Sequence, residues 1–181
     1  MKRSSIKRTG MKRKKKPAQK RSEIPVGQRC TWSTRCNRVS DRVSLVVGPE
    51  ERYCGTHLRL VAEAVVGTWV KNRDDWTCQA CGKQGDAKGE SGVVIQWAHI
   101  ITRGSKYIKF ATEPYPGNSI ALDSGCHFAY GQNEGNWKRF IERRWPGHHD
   151  RLTRMEAKAE RAGGSVDKVA VIIEYRSRLA A

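Results

Sequence analysis

The chain has 181 residues, enough for one ordinary domain or a small domain with appendages. It carries 35 Lys and Arg against 18 Asp and Glu, a formal net charge of +17 at pH 7; an excess of that size serves attraction to a polyanion rather than the fold. No run of about 18 apolar residues exists to span a bilayer, no basic apolar helix stands out to lie on one, and the start MKRSSIKRTGMKRKKKP lacks the apolar stretch of a secretory signal.

The expectation is therefore a cytosolic chain with no membrane partner. Its thiols stay reduced there, so six cysteines point to metal before disulfides. Residues 1–27 read as a disordered basic tail. Eleven Lys or Arg and no acid lie between Met1 and Arg21, and such a segment has too few core-forming side chains to fold alone. Its expected work is non-specific phosphate attraction that weakens as salt rises; a merely solubilising leader is the alternative.

Residues 28–75 form a loop-rich, Cys-bearing stretch followed by a helix over Leu58–Asn72. Leu58, Val61, Val65 and Trp69 make its apolar stripe, and Asp74-Asp75 end it. Residues 76–147 begin with a Cys pair and a polar turn over Gly85–Gly92. A strand follows over Val93–Ile101, then a long loop over Thr102–Gly117 and a short strand over Ser119–Leu122. A helix is expected to start near His127, to break at Gly131 or Gly135, and to resume through Trp137, Phe140 and Ile141 to Trp145. Pro146-Gly147 stops it. Residues 148–181 read as two helices, Asp150–Arg161 and Val166–Leu179, the second opened by Ser165 as N-cap. The class is a small α+β fold.

Every cysteine falls in one of two clusters. The first is Cys30-x5-Cys36-x17-Cys54-x2-His57. Three thiolates and an imidazole make a full tetrahedral set for structural zinc. An irregular segment of this size buries too little apolar surface to hold itself, so metal would supply folding free energy. Free buried cysteines beside a surface histidine are the alternative. The second cluster is Cys78-x2-Cys81, followed by Gly82, then Asp123-x2-Cys126. A carboxylate can complete a zinc site, though zinc favours sulfur. Asp123 is thus either the fourth ligand of a second zinc or a surface residue beside a degenerate knuckle.

Between the halves of the second cluster stand Trp97-Ala98-His99-Ile100 and Asn118-Ser-Ile-Ala-Leu122, and Cys126-His127 closes it. The stretches WTCQACG, IQWAHIITRG, GNSIALDSGCHF and NWKRFIERRWPG resemble, in order and spacing, the HNH nuclease family, in particular phage proteins related to the lambda-type recombination protein NinG. The resemblance covers residues 76–147. It implies a ββα-metal, treble-clef-like core, with the N-terminal zinc module and flanking helices attached. It further implies a metal-dependent DNA endonuclease that hydrolyses phosphodiester bonds, phage-encoded, acting in recombination, replication or packaging on duplex or branched DNA.

By the same resemblance His99 is the general base, Asn118 the residue that fixes the loop around it, and His127 a ligand of a catalytic Mg²⁺, Mn²⁺ or Zn²⁺. An imidazole, whose unperturbed pKa lies near neutrality, suits the base. Arg103, four residues after His99, is a candidate phosphate clamp or an ordinary loop charge. Many family members carry a metal ligand directly before the base, where this chain has Ala98. The ion would then rest on His127, phosphate, water and a polar group such as Asn133. The alternative to an enzyme is a zinc-dependent nucleic-acid-binding protein that does not cut. His148 and His149 match no motif and are expected at the surface, while Trp97 and Trp137 are expected in the core.

Overall fold

The computed structural model describes residues 29–32, 35, 36, 38, 51–101, 108–163 and 165–181. The basic tail and Arg103 lie outside them. Among the described residues, five helices and a two-stranded antiparallel sheet make a small α+β fold: α1 (Gly55–Arg73), β1 (Ile95–His99), β2 (Ser119–Asp123), α2 (Ser124–Gly131), α3 (Glu134–Arg144), α4 (His148–Arg161) and α5 (Lys168–Ala180). Among the described residues no helix is long and apolar enough to cross a membrane.

The apolar side chains gather in two cores. The first joins Cys30, Cys36, Tyr53 and Cys54 to the buried face of α1, and is closed by Phe110 and by Ile172 and Tyr175 of α5. The buried face of α1 runs through Leu58, Ala62, Val66 and Val70, with Val61 beside it, whereas Val65 and Trp69 are only partly buried. The expected stripe is therefore rotated and widened. The cause is that α1 packs on α5 along one side and on the sheet along another. Gly67 marks the second contact: a Cβ there would stand 3.2 Å from Trp97 Cε3.

Helix α1 stops at Asp74, and Asp75 and Trp76 both turn into the left-handed region at φ 50°. Arg73 and Asp74 then tie this helix end to the sheet. Arg73 donates from Nε to Asp74 Oδ1 at 2.8 Å and from its terminal nitrogens to the carbonyls of Pro116 at 3.1 Å and Ser119 at 2.8 Å. Asp74 Oδ2 accepts from the Ala121 amide at 2.7 Å.

The second core holds Cys78, Ile95, Ala98 and Ile100, the β2 residues Ile120, Ala121 and Leu122, and Ile141 and Leu152 from α3 and α4. All five residues of β2 are buried, so this strand shows no alternation. His99 pairs with Ser119 and Ile95 with Asp123. β1 is shorter than the β-branched run suggests, because Val94 lies beyond the paired register and is 59% exposed.

Helix caps correct two boundaries. Asp123 caps α2, whose start at Ser124 precedes the expected one. Asp167, not Ser165, caps α5, its carboxylate accepting from the amides of Val169 at 2.9 Å and Ala170 at 3.4 Å. The break between α2 and α3 falls at Gln132-Asn133, one to two residues past Gly131. The C-terminal stretch divides between the cores, α4 contributing Leu152 to the second and α5 joining the first.

Candidate metal centres and catalytic cleft

Cys54 is the N-cap of α1 and makes no side-chain capping bond. Three residues on, His57 lies in the first turn, so the helix start presents both toward one point. Cys30 Sγ lies 3.1 Å and Cys54 Sγ 3.3 Å from His57 Nδ1, and Cys36 Sγ lies 4.0 Å from Cys54 Sγ. All four ligand atoms fall within 4.8 Å of one another. Zinc bonded to sulfur at about 2.3 Å in a tetrahedron separates sulfurs by roughly 3.8 Å, so the set fits that ion. The Trp32 ring stacks on His57 at 5.5 Å. Burial pushes the Cys30 thiol up, and a bound cation is what would favour thiolates there.

The second group is Cys78, Cys81, Asp123 and Cys126, again with ligand atoms all within 4.8 Å. The knuckle turn is set by Gly82, which takes φ 76° while its amide donates to the Cys78 carbonyl at 2.9 Å. Asp123 is 7% exposed, so it is not a surface residue. Its Oδ1 caps α2 by accepting from the amides of Gly125 at 3.0 Å and Cys126 at 3.4 Å, and its Oδ2 accepts from the Cys81 thiol at 3.2 Å. One carboxylate thus serves the helix with one oxygen and the cluster with the other. The Cys126 thiol first, then those of Cys81 and Cys78, hold its carboxyl well below the usual carboxylate range. Burial, and then Asp123 itself, push the Cys126 thiol up. Both groups could hold a metal ion such as zinc.

The remaining predicted residues surround the sheet. His99 ends β1, its ring 4.3 Å from that of Trp97. Asn118, immediately before β2, is fully buried. Its Oδ1 accepts from the Ile101 amide at 2.7 Å, and its Nδ2 donates to the carbonyls of Ile108 at 3.2 Å and Ile101 at 3.4 Å. The carboxamide thereby joins the backbone after β1 to the backbone approaching β2. His127 lies in the first turn of α2, with Nδ1 2.6 Å from Oε1 of Gln96 on β1.

His99 and His127 line one open cleft of about 260 Å³, together with Ala98, Tyr130, Glu134 and Trp137. Trp137 holds α3 against the end of β1 by donating from Nε1 to the Ile100 carbonyl at 2.9 Å. Asn133 does not serve the cleft: its Oδ1 caps α3, accepting from the Asn136 amide at 2.9 Å. The carboxylate that reaches the cleft is Glu134, one residue later, which the sequence reading missed. The signal was the helix break after Gly131, which returns the start of α3 to His127. Among the described residues, only the two cysteine-containing groups draw three or more His, Cys, Asp or Glu ligand atoms within 4.8 Å of one another; His99, His127 and Glu134 do not form such a group.

His148 also departs from expectation. It is 4% exposed and spans two elements, with Nε2 2.7 Å from the Gly117 carbonyl and Nδ1 2.5 Å from the Arg151 guanidinium. Gly117 itself is compelled, since φ is 63° and a Cβ would stand 2.3 Å from Thr112 backbone atoms. No family model, curated protein or solved structure matches the chain.

Proposed function

We propose that the protein is a metal-dependent DNA endonuclease of the HNH type. The observation that carries this reading is that β1, β2 and α2 follow one another with His99 closing the first strand, Asn118 immediately before the second, and His127 in the first helical turn, while both histidines line one cleft. That is the order of a ββα-metal core.

In this reading His99 takes a proton from the attacking water. Asn118 holds the backbone around the base, as its three hydrogen bonds allow. With a carboxamide oxygen against its Nδ1, His127 would carry its proton there and leave the Nε2 lone pair for a metal. His127 and Glu134 would hold the divalent ion, because they supply an imidazole and a carboxylate to the same cleft. Such an ion neutralises charge on the scissile phosphate and eases ionisation of water. The two cysteine-rich groups would carry structural zinc and keep strand and helix ends in place.

The test is nicking of supercoiled plasmid with Mg²⁺, Mn²⁺ or Zn²⁺. His99→Ala is expected to cut about 10²–10⁴-fold more slowly, without rescue by added metal. His127→Ala is expected to recover in part at high Mn²⁺. Both variants keep DNA binding and structural zinc. A parent protein that binds DNA but nicks with none of the three ions rejects the enzyme in favour of a non-cutting, zinc-dependent binding protein.

A further inference from the structure

A second concavity, sharing no residue with the cleft, lies where the loop before β2 meets the junction of α3 and α4. It holds about 390 Å³, and its walls include Tyr115, Arg144, Trp145, Arg151 and Arg154. Three arginines line it, no acidic residue does, and among the described residues no carboxylate lies within ion-pair distance of any of the three. Glu142 lies on the adjoining turn, but its carboxylate accepts from the amides of Gly147 at 2.8 Å and His149 at 3.2 Å, so the three arginines keep an excess of positive charge that favours an entering anion.

An independent observation points the same way. Arg151 Nε is buried, and no acceptor meets it among the described residues, although the same side chain donates from its terminal nitrogen to His148 Nδ1 at 2.5 Å. His148 is in turn anchored on the Gly117 carbonyl. The guanidinium is therefore held at the pocket wall by a buried partner while its Nε stays covered and unmet, and a polar group left unmet in this way is one place where a missing partner is sought. The aromatic side is formed by the edge-to-face pair of Tyr115 and Trp145, 6.0 Å apart, with Tyr115 48% exposed.

We propose that this pocket is an anion site for a backbone phosphate of DNA, contacted by Arg144, Arg151 and Arg154. The choice of DNA rests on the nuclease reading; the phosphate chemistry does not. Glu134 and Trp137, at one end of α3, line the cleft, and Arg144, at the other end, lines the pocket. Ten helical steps separate Glu134 from Arg144, about 15 Å along the axis. That distance equals the rise of roughly four to five nucleotides of duplex. One strand seated at His99 would then reach the pocket a few nucleotides away, and the pocket would fix which phosphate is presented for cleavage.

The test uses the full zinc-loaded chain and anisotropy of a labelled DNA duplex across a salt series. Arg144→Ala/Arg154→Ala removes two exposed cations, Arg144 lying over the Trp145 ring at 5.9 Å. Lys83→Ala/Lys88→Ala removes equal charge from an exposed turn. The arginine pair is expected to bind about 10-fold more weakly or worse, with the salt slope reduced by about one to two, at unchanged melting temperature. The lysine pair is expected to stay near the parent. Equal losses in the two pairs would overturn the site. The same arginine-dependent loss on an RNA duplex marks a phosphate reader, whereas loss on DNA alone overturns the phosphate assignment. Arg151→Lys keeps the charge and removes Nε, and is expected to weaken binding as well. Nicking measured on the same samples separates the two readings. Arginine-dependent binding without any nicking by the parent rejects the nuclease and leaves the pocket, while nicking and binding equal to the lysine control reject the pocket alone.

Discussion

Gln96 and His127 meet side chain to side chain across the β1–α2 interface, Oε1 to Nδ1, at 2.6 Å. The contact orients the ring, and with the carboxamide oxygen facing it, an atom that can only accept, it favours a proton on Nδ1 of the proposed ligand. Partners of this kind are worth about 10–100-fold in metal affinity or activity. Gln96→Ala is expected to raise the Mn²⁺ concentration needed for half-maximal nicking by about that factor, with structural zinc content unchanged. Gln96→Glu, which keeps an acceptor, is expected to recover most of the loss. An unchanged metal requirement in Gln96→Ala would show that the contact positions nothing.

Asp123 predicts a split between two variants. Asp123→Asn keeps an oxygen for the amides of Gly125 and Cys126 but loses the anionic ligand. Asp123→Cys supplies a softer ligand but a poor helix cap. Zinc retention against a chelator is expected to follow Cys above Asp above Asn. Melting temperature of the fully loaded forms is expected to favour the parent over Asp123→Cys, a lost cap costing about 1 kcal/mol. Identical zinc retention in all three would remove Asp123 from the ligand set.

The Arg73–Asp74 pair is nearly dry, its side chains 12% and 0% exposed. Arg73→Ala strands a buried carboxylate and releases the carbonyls of Pro116 and Ser119. The expected cost is about 3–5 kcal/mol in urea denaturation. A loss under about 1 kcal/mol would mean that Ala121 and solvent suffice for Asp74.

His148 gives the stability a pH dependence. Burial pushes its imidazole below the ordinary histidine range, and the Arg151 charge adds to this, while the Gly117 carbonyl pulls the other way. The unfolded chain titrates at about 6.5. Below that pH the unfolded state binds a proton that the native state refuses, so stability is whole above about pH 6.5 and is lost as pH falls toward the folded pKa. His148→Gln is expected to flatten this slope between about pH 7.5 and about pH 5.5, seen as a smaller shift of the urea midpoint. Equal shifts in parent and variant would assign the acid sensitivity to other groups.

Spacing alone was enough to group Cys30, Cys36, Cys54 and His57, because metal ligation demands residue types that are rare and leave a countable pattern. The strand–strand–helix order around His99, Asn118 and His127 was legible for a similar reason, since β-branched runs and turn residues announce themselves locally. Asp123 was undecided in sequence because a carboxylate at a helix start serves equally as cap, surface charge or ligand; burial and the 3.2 Å contact to Cys81 made it cap and cluster member together. Glu134 was hinted at only by the helix break after Gly131, and the rotated face of α1 and the buried His148 were beyond the sequence. Each depends on which element packs opposite: α3 folding back on the end of β1, α5 and Trp97 closing on α1, Gly117 meeting α4. Local propensity and ligand spacing act over a few residues and can be read along the chain. Which face a helix buries, and which charges share a cavity, are fixed by contacts between segments dozens of residues apart, and only the folded structure brings those together.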